Sequence, residues 1–195
     1  MAKPSSKKKA IFQAAATVFG QKGFDNASID EIAKTAGVAK GTIFYYFENK
    51  EDLFSALIEE GINILSDEIN RIIKLNASIR EKLEEIIDFH FTFFKKHNSL
   101  CLMILNQLGS IEKKWSKAIN LIHHNYTDVL ESFIDDCKKQ NLLDRELNAE
   151  ALSILLFSML AVSGINWTLF HSKVPQSEIV KMTRSIIFKG LKLMA

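Results

Sequence analysis

Apolar residues recur along this chain at the 3.6-residue spacing of a helix almost from end to end, and nowhere at the two-residue spacing of a strand. Ile11, Ala15, Val18 and Phe19 lie at i, i+4, i+7 and i+8, and Gly23 stops that stripe just past its last member. Ser28-Ile29-Asp30-Glu31 then has the pattern of a capping box. Ser28 accepts from the Glu31 amide, and the Glu31 carboxylate reaches back to the Ser28 amide. Ile29, Ile32, Ala33 and Ala36 give a short apolar face, ended by Gly37 in a left-handed turn. A third stretch runs from about Lys40 to Phe47. Two short helices across a Gly-containing turn predict a helix-turn-helix, and the longer helix before them completes a small three-helix core.

Asn49 is placed to cap a long connector helix over about 50–74, with Glu51 and Asp52 favourable in its first turn. Ser78 caps a further helix with Ile79, Leu83, Ile86, Ile87, His90 and Phe94 on one side and mostly charged residues on the other. Leu100 to Leu108 is a short apolar segment closed by Gly109. Helices over about 112–139, 147–171 and 176–193 complete the chain, with Pro175 at the start of the last. The expected class is all-α, about nine helices, with no strand and no internal repeat.

The uncharged stretch Ala151 to Phe170 is long enough to span a bilayer. Ser153, Ser158, Ser163, Asn166 and Thr168 interrupt it, so burial in a core or a subunit interface is the better reading, with no membrane partner.

Composition narrows the class. Of 195 residues 47% are hydrophobic and 25% charged, which supplies a sizeable core and excludes wholesale disorder. Two prolines and eight glycines are too few for the turns of an all-β chain. Cys101 and Cys137 have no metal-like spacing and read as ordinary thiols of a reduced, cytoplasmic protein. Met1 to Lys9 is polar and basic with no apolar run behind it, so no secretory signal is expected. Charge is unevenly spread: residues 1–50 carry eight lysines against four acids, whereas the remainder is slightly acidic. A basic module on an acidic body suggests a polyanion reader with a second task.

The chemistry concentrates in Ser28 to Phe54. Lys40-Gly41-Thr42 offers a cation, a bare backbone and a hydroxyl where a helix begins, which suits phosphates and base edges. Ile43 and Phe47, four apart, anchor the helix and turn Phe44, Tyr45 and the Lys40/Gly41 end toward a partner. Tyr46 and Lys50 reach the flanking phosphate backbone. Three consecutive aromatics cannot all face inward on one short helix.

At these residues the sequence resembles the tetracycline-repressor (TetR) family of bacterial transcription regulators, over roughly Lys8 to Leu57. The Gly37-Val38 turn, Lys40-Gly41-Thr42, the aromatic run and Asn49-Lys50 fall in the family's order. The resemblance implies a helix-turn-helix DNA-binding domain over 1–49 and a helical ligand-binding and dimerisation domain over 50–195. It makes Ile29–Ala36 the supporting helix and Lys40–Phe47 the recognition helix in the major groove. Ser28, Thr42, Tyr46 and Lys50 would contact phosphates; Lys40, Gly41, Phe44 and Tyr45 would face bases. Phe44 stands where the family usually has Tyr, which substitutes contact with a thymine methyl for a hydroxyl. Ala39 stands where Ser is common, removing an N-cap worth about 1 kcal/mol. The Lys3, Lys7, Lys8 and Lys9 arm either adds phosphate contacts or is a basic tail without a fixed partner.

By the same resemblance, the last two helices pair with their copies in a homodimer, and an effector pocket lies within 78–170. Phe89, His90, Phe93, Met103, Gln107, Tyr126, Phe133, Phe157, Met159 and Trp167 are its candidate lining, suited to a small hydrophobic or aromatic effector. His90, Gln107, Tyr126 or Asn166 would orient it; the plain alternative for each is ordinary core. No metal or other cofactor is expected: His90 and His97 are seven apart, adjacent His123 and His124 diverge, and no zinc motif is present. No nucleotide loop or nucleophile elbow occurs either, so catalytic residues are not expected. The leading reading is a dimeric regulator, most simply a repressor, that binds a palindromic double-stranded DNA operator and is released by its effector. The alternatives are a helical small-molecule binding protein without sequence-specific DNA binding, and an all-α enzyme.

Overall fold

The computed structural model describes residues 6–107, 123–169 and 173–192, excepting the side chains of 104–107, 123–124 and 168–169. Among the described residues there are nine α-helices and no strand, as the periodicity predicts. They are α1 (Ser6–Asn26), α2 (Ile29–Ala36), α3 (Lys40–Tyr46), α4 (Lys50–Ile73), α5 (Ile79–Lys96), α6 (Asn98–Gln107), α7 (Asp128–Lys139), α8 (Ala149–Leu169) and α9 (Gln176–Gly190). A single π turn, His123–Thr127, leads into α7. The first part of the helix expected over 112–139, and Leu108 and Gly109, lie outside the described residues.

The chain forms two compact units: Met1–Gly61 with Ser99–Ala118, and Ile62–Asn98 with Ile119–Ala195. In the first unit, α1 is interrupted where the sequence predicts, at Gly23, whose φ of 75° and ψ of 170° are open only to glycine. The break swings Phe24 inward to pack with Phe19 and Phe54 at centroid distances of 5.7 and 5.2 Å. Gly37 closes α2 in the left-handed region (φ 66°), and its amide reaches back to the helix carbonyls. Ile11, Ala15, Phe19, Ile32, Ile43, Leu53 and Phe54 form the core beneath α1–α4.

The capping box at Ser28 is only half formed. The Glu31 amide donates to Ser28 Oγ at 3.2 Å, but the Glu31 carboxylate pairs with Lys22 Nζ at 2.6 Å instead of returning to the Ser28 amide. A cation supplied by the preceding helix outcompetes a neutral amide for that carboxylate. The Asn49 cap forms, with the Asp52 amide donating to its side-chain oxygen at 2.8 Å. In the second unit, Ser78 and Glu81 make a complete capping box at the start of α5.

That second unit packs α5 and α7 against α8, with α9 beside α5. Arg71 on α4 donates to Glu68 and to Glu85 on α5, and Lys82 caps the last turn of α4 through the Ile73 carbonyl at 2.8 Å. Arg184 on α9 holds both carboxylate oxygens of Asp88 on α5. Along α8, the window Ala149–Trp167 is long and apolar enough to cross a membrane, yet only 33% of it is buried. Its outer face carries Ile154, Leu155 and Val162, while Met182 and Ile186 lie exposed on α9.

Candidate nucleic-acid interface and effector site

The short helix α3 divides its side chains as its spacing demands. Ile43 and Phe47 are buried, whereas Tyr45 is 81% exposed and Phe44 47% exposed. Lys8 lies over the rings of Phe12 and Phe47, so this anchor is closed by a cation from α1. Lys40 and Gly41 are also exposed, and Thr42 and Tyr46 are half-buried beside them. Ala39 caps α3 without a side-chain hydrogen bond; the Thr42 amide is met by the Ala39 carbonyl at 2.8 Å. Ser28 Oγ accepts from α2 and remains exposed, leaving its hydroxyl proton available to an acceptor. Seven of the eight expected contact residues therefore stand at the surface around α2 and α3.

Lys50 is placed differently from these seven. Its ammonium points inward, donating to the carbonyls of Phe24 (2.8 Å), Ala27 (3.0 Å) and Asp25 (3.3 Å), 4.4 Å from the Phe24 ring centroid. All three N–H donors are thereby matched by carbonyls. Beyond the kink at Gly23 the chain turns these carbonyls toward the first turn of α4, where Lys50 bonds all three; the Phe24 carbonyl also accepts from the Ala27 amide at 3.3 Å.

The second unit brings five of the expected effector residues into one aromatic chain. Phe93 stacks on His97 at 4.5 Å and neighbours Phe89; Phe89 meets His90; His90 meets Tyr126; and Tyr126 lies 4.7 Å from Phe157. Phe94 and His97 belong to this cluster and were not singled out as site residues; their i+4 spacing from His90 and Phe93 was the available signal.

At its centre, His90 is fully buried and the Tyr126 hydroxyl bonds to its Nε2. Nδ1 lies 2.6 Å from the Ile86 carbonyl, which accepts only from an N–H and so fixes the neutral tautomer with Tyr126 as donor to Nε2. Burial lowers the His90 pKa to about 4 and raises that of Tyr126 well above its ordinary value. Both groups are thus neutral at pH 7 and mutually satisfied.

Other expected lining residues fall elsewhere. Phe133 is buried on α7 outside the described ring contacts of this chain. Trp167, half-buried near the end of α8, donates to the Val174 carbonyl at 3.2 Å. Asn166 is exposed on α8, three turns along from Leu155, and does not face the interior. Met103 is buried in the first unit, and the side chain of Gln107 lies outside the described residues.

Family patterns of known proteins match most of the chain in two consecutive stretches. The pattern of the bacterial regulatory proteins, tetR family, matches residues 11–57, and that of the YsiA-like protein, C-terminal region, matches 58–190. The chain is 25% identical over 177 residues to the fatty acid metabolism regulator protein of Bacillus subtilis, covering 91% of this chain and 90% of that protein. It is 23% identical over 128 residues to IcaR, the negative transcriptional regulator of the icaADBC biofilm operon in Staphylococcus epidermidis, covering 66% and 69%. Among solved structures, the fatty acid degradation regulator FadR of Bacillus halodurans superposes with a TM-score of 0.84 at 26% identity, covering 95% of this chain and 96% of that one. FadR of Bacillus subtilis in complex with stearoyl-CoA gives 0.81 at 24% identity, covering 96% and 99%.

Proposed function

This chain belongs to the TetR family of bacterial transcription regulators, and from that premise we propose that it is a cytoplasmic, homodimeric repressor released from DNA by a fatty-acyl effector. The observation that carries the reading is the outward turn of Phe44 and Tyr45 on a helix anchored by Ile43 and Phe47. Large aromatics held in water by their own helix are explained by a partner that covers them. Residues 1–49 supply the reader: Lys40, Gly41, Phe44 and Tyr45 face bases, while Ser28, Thr42 and Tyr46 bond phosphates. Residues 50–195 supply effector binding and dimerisation, and no catalytic step.

The exposed Ile154, Leu155 and Val162 of α8 and Met182 and Ile186 of α9 support pairing with a second copy. That pairing also accounts for the uncharged stretch of α8 beyond Glu150 without a membrane. The fatty-acid regulators among the relatives support an acyl effector, as does the aromatic interior around His90 and Tyr126. A carbonyl on such an effector would accept the Tyr126 proton in place of His90.

The test is a gel shift with the DNA upstream of the chain's own gene, with and without stearate or stearoyl-CoA. The expected result is a retarded band that a scrambled duplex does not compete and that an acyl compound releases. Equal competition by the scrambled duplex would contradict DNA reading; a band indifferent to both compounds would contradict the effector class alone.

A further inference from the structure

The surface around α3 contains a carboxylate that a phosphate-binding face does not need. Asp30, in the first turn of α2, is 70% exposed and accepts from Lys40 Nζ at 2.8 Å, joining the starts of the two helices across ten positions. Two neighbouring charges are engaged elsewhere: Glu31 is taken by Lys22, and Lys50 by three carbonyls. Asp30 is therefore the acid that meets the base-facing lysine.

An unrestrained lysine on a DNA face swings to the nearest phosphate, where it adds affinity for every sequence. Held by a carboxylate, the same ammonium keeps two N–H donors in a fixed direction and loses its net charge toward the backbone. Fixed donors in the major groove select guanine, whose O6 and N7 both accept there. We propose that Asp30 is a specificity-determining positioning residue, which restrains Lys40 from the phosphates and makes it a reader of guanine. The proposal rests on α3 being the groove helix, and adds to that reading the base chemistry sought and the residue that enforces it. As an exposed pair in the free protein it contributes little to stability, so its consequence lies in discrimination.

The experiment is selection of preferred sequences from a pool of duplexes with a randomised centre, using the full chain, Asp30→Asn, Lys40→Ala and the double variant. Asparagine keeps the size of an exposed side chain, so the helix pair is preserved. Duplexes enriched by the unmodified chain carry guanine at a symmetry-related pair of positions, and Asp30→Asn loses that guanine while keeping the rest of the motif. Asp30→Asn also binds an unrelated duplex about fivefold more tightly per protomer at ~0.15 M salt, the worth of one further released counterion, and its salt slope steepens by about one. Lys40→Ala loses the guanine without the steepening, and the double variant matches Lys40→Ala. Identical motifs from Asp30→Asn and the unmodified chain would overturn the proposal, as would an Asp30→Asn effect that persists when Lys40 is absent. Failure of the unmodified chain to enrich any duplex would overturn the groove reading, and this inference with it.

Discussion

Lys50 donates from the first turn of α4 to the Phe24 carbonyl at 2.8 Å, across 26 positions of chain, and so ties the loop after Gly23 to the helix that leaves the helix-turn-helix. Lys50→Ala removes charge-assisted bonds to partly buried carbonyls, for an expected loss of about 1.5–3 kcal/mol. Thermal unfolding should show a midpoint several degrees lower. DNA affinity should fall with the salt slope unchanged if this ammonium stays on its carbonyls in the complex. An unchanged melting midpoint together with a slope reduced by about one would instead make Lys50 a phosphate ligand.

Local features of the fold were legible in the sequence, because each is decided within one helical turn: the stops at Gly23 and Gly37, the caps at Asn49 and Ser78, and the Ile43/Phe47 anchor. Features that depend on distant partners were not. Nothing in Ser28-Ile29-Asp30-Glu31 reveals that Lys22 will claim Glu31. The i, i+4 relation of Tyr46 and Lys50 likewise gives no sign of carbonyls more than twenty positions upstream. The family resemblance offers His90 and Tyr126 separately, as groups that would orient an effector. Their pairing spans 36 positions and emerges only because α5 and the π turn both pack on α8.

That pair gives a second prediction. His90→Phe strands the Tyr126 hydroxyl in an apolar site, at about 1–3 kcal/mol, and Tyr126→Phe strands Nε2 at a similar cost. The double variant removes both polar groups and should be less destabilised than the sum of the two. A double-mutant cycle in urea checks this; simple additivity would mean that the two groups do not act as a pair.

The same histidine sets a pH dependence. Its pKa is lowered from 6.5 to about 4 in the folded chain by burial, so between those values the unfolded state binds a proton that the folded state refuses. The contribution is therefore fully present above about pH 6.5 and is lost as pH falls toward 4. Its size is on the order of 3 kcal/mol. Urea midpoints measured from pH 7.5 to 4.5 should decline more steeply for the unmodified chain than for the double Phe variant. Parallel curves would contradict a buried neutral His90.

Dimerisation is testable on the outer face of α8. Leu155 and Val162 are 62% and 63% exposed, so Leu155→Glu or Val162→Glu should leave the protomer folded, with helical content unchanged. Each should convert a dimer to a monomer in light scattering at micromolar concentration. Operator affinity should then fall steeply, since one reader contacts only one half-site. Dimers that survive both substitutions would place the interface elsewhere.

The most direct measurement is the mass and footprint of the complex formed on the chain's own upstream DNA. Sedimentation should give two chains per site, protecting an inverted repeat whose half-site centres lie about 34–36 Å apart, one helical turn. A single chain on the duplex, or protection that does not depend on sequence, would contradict the account.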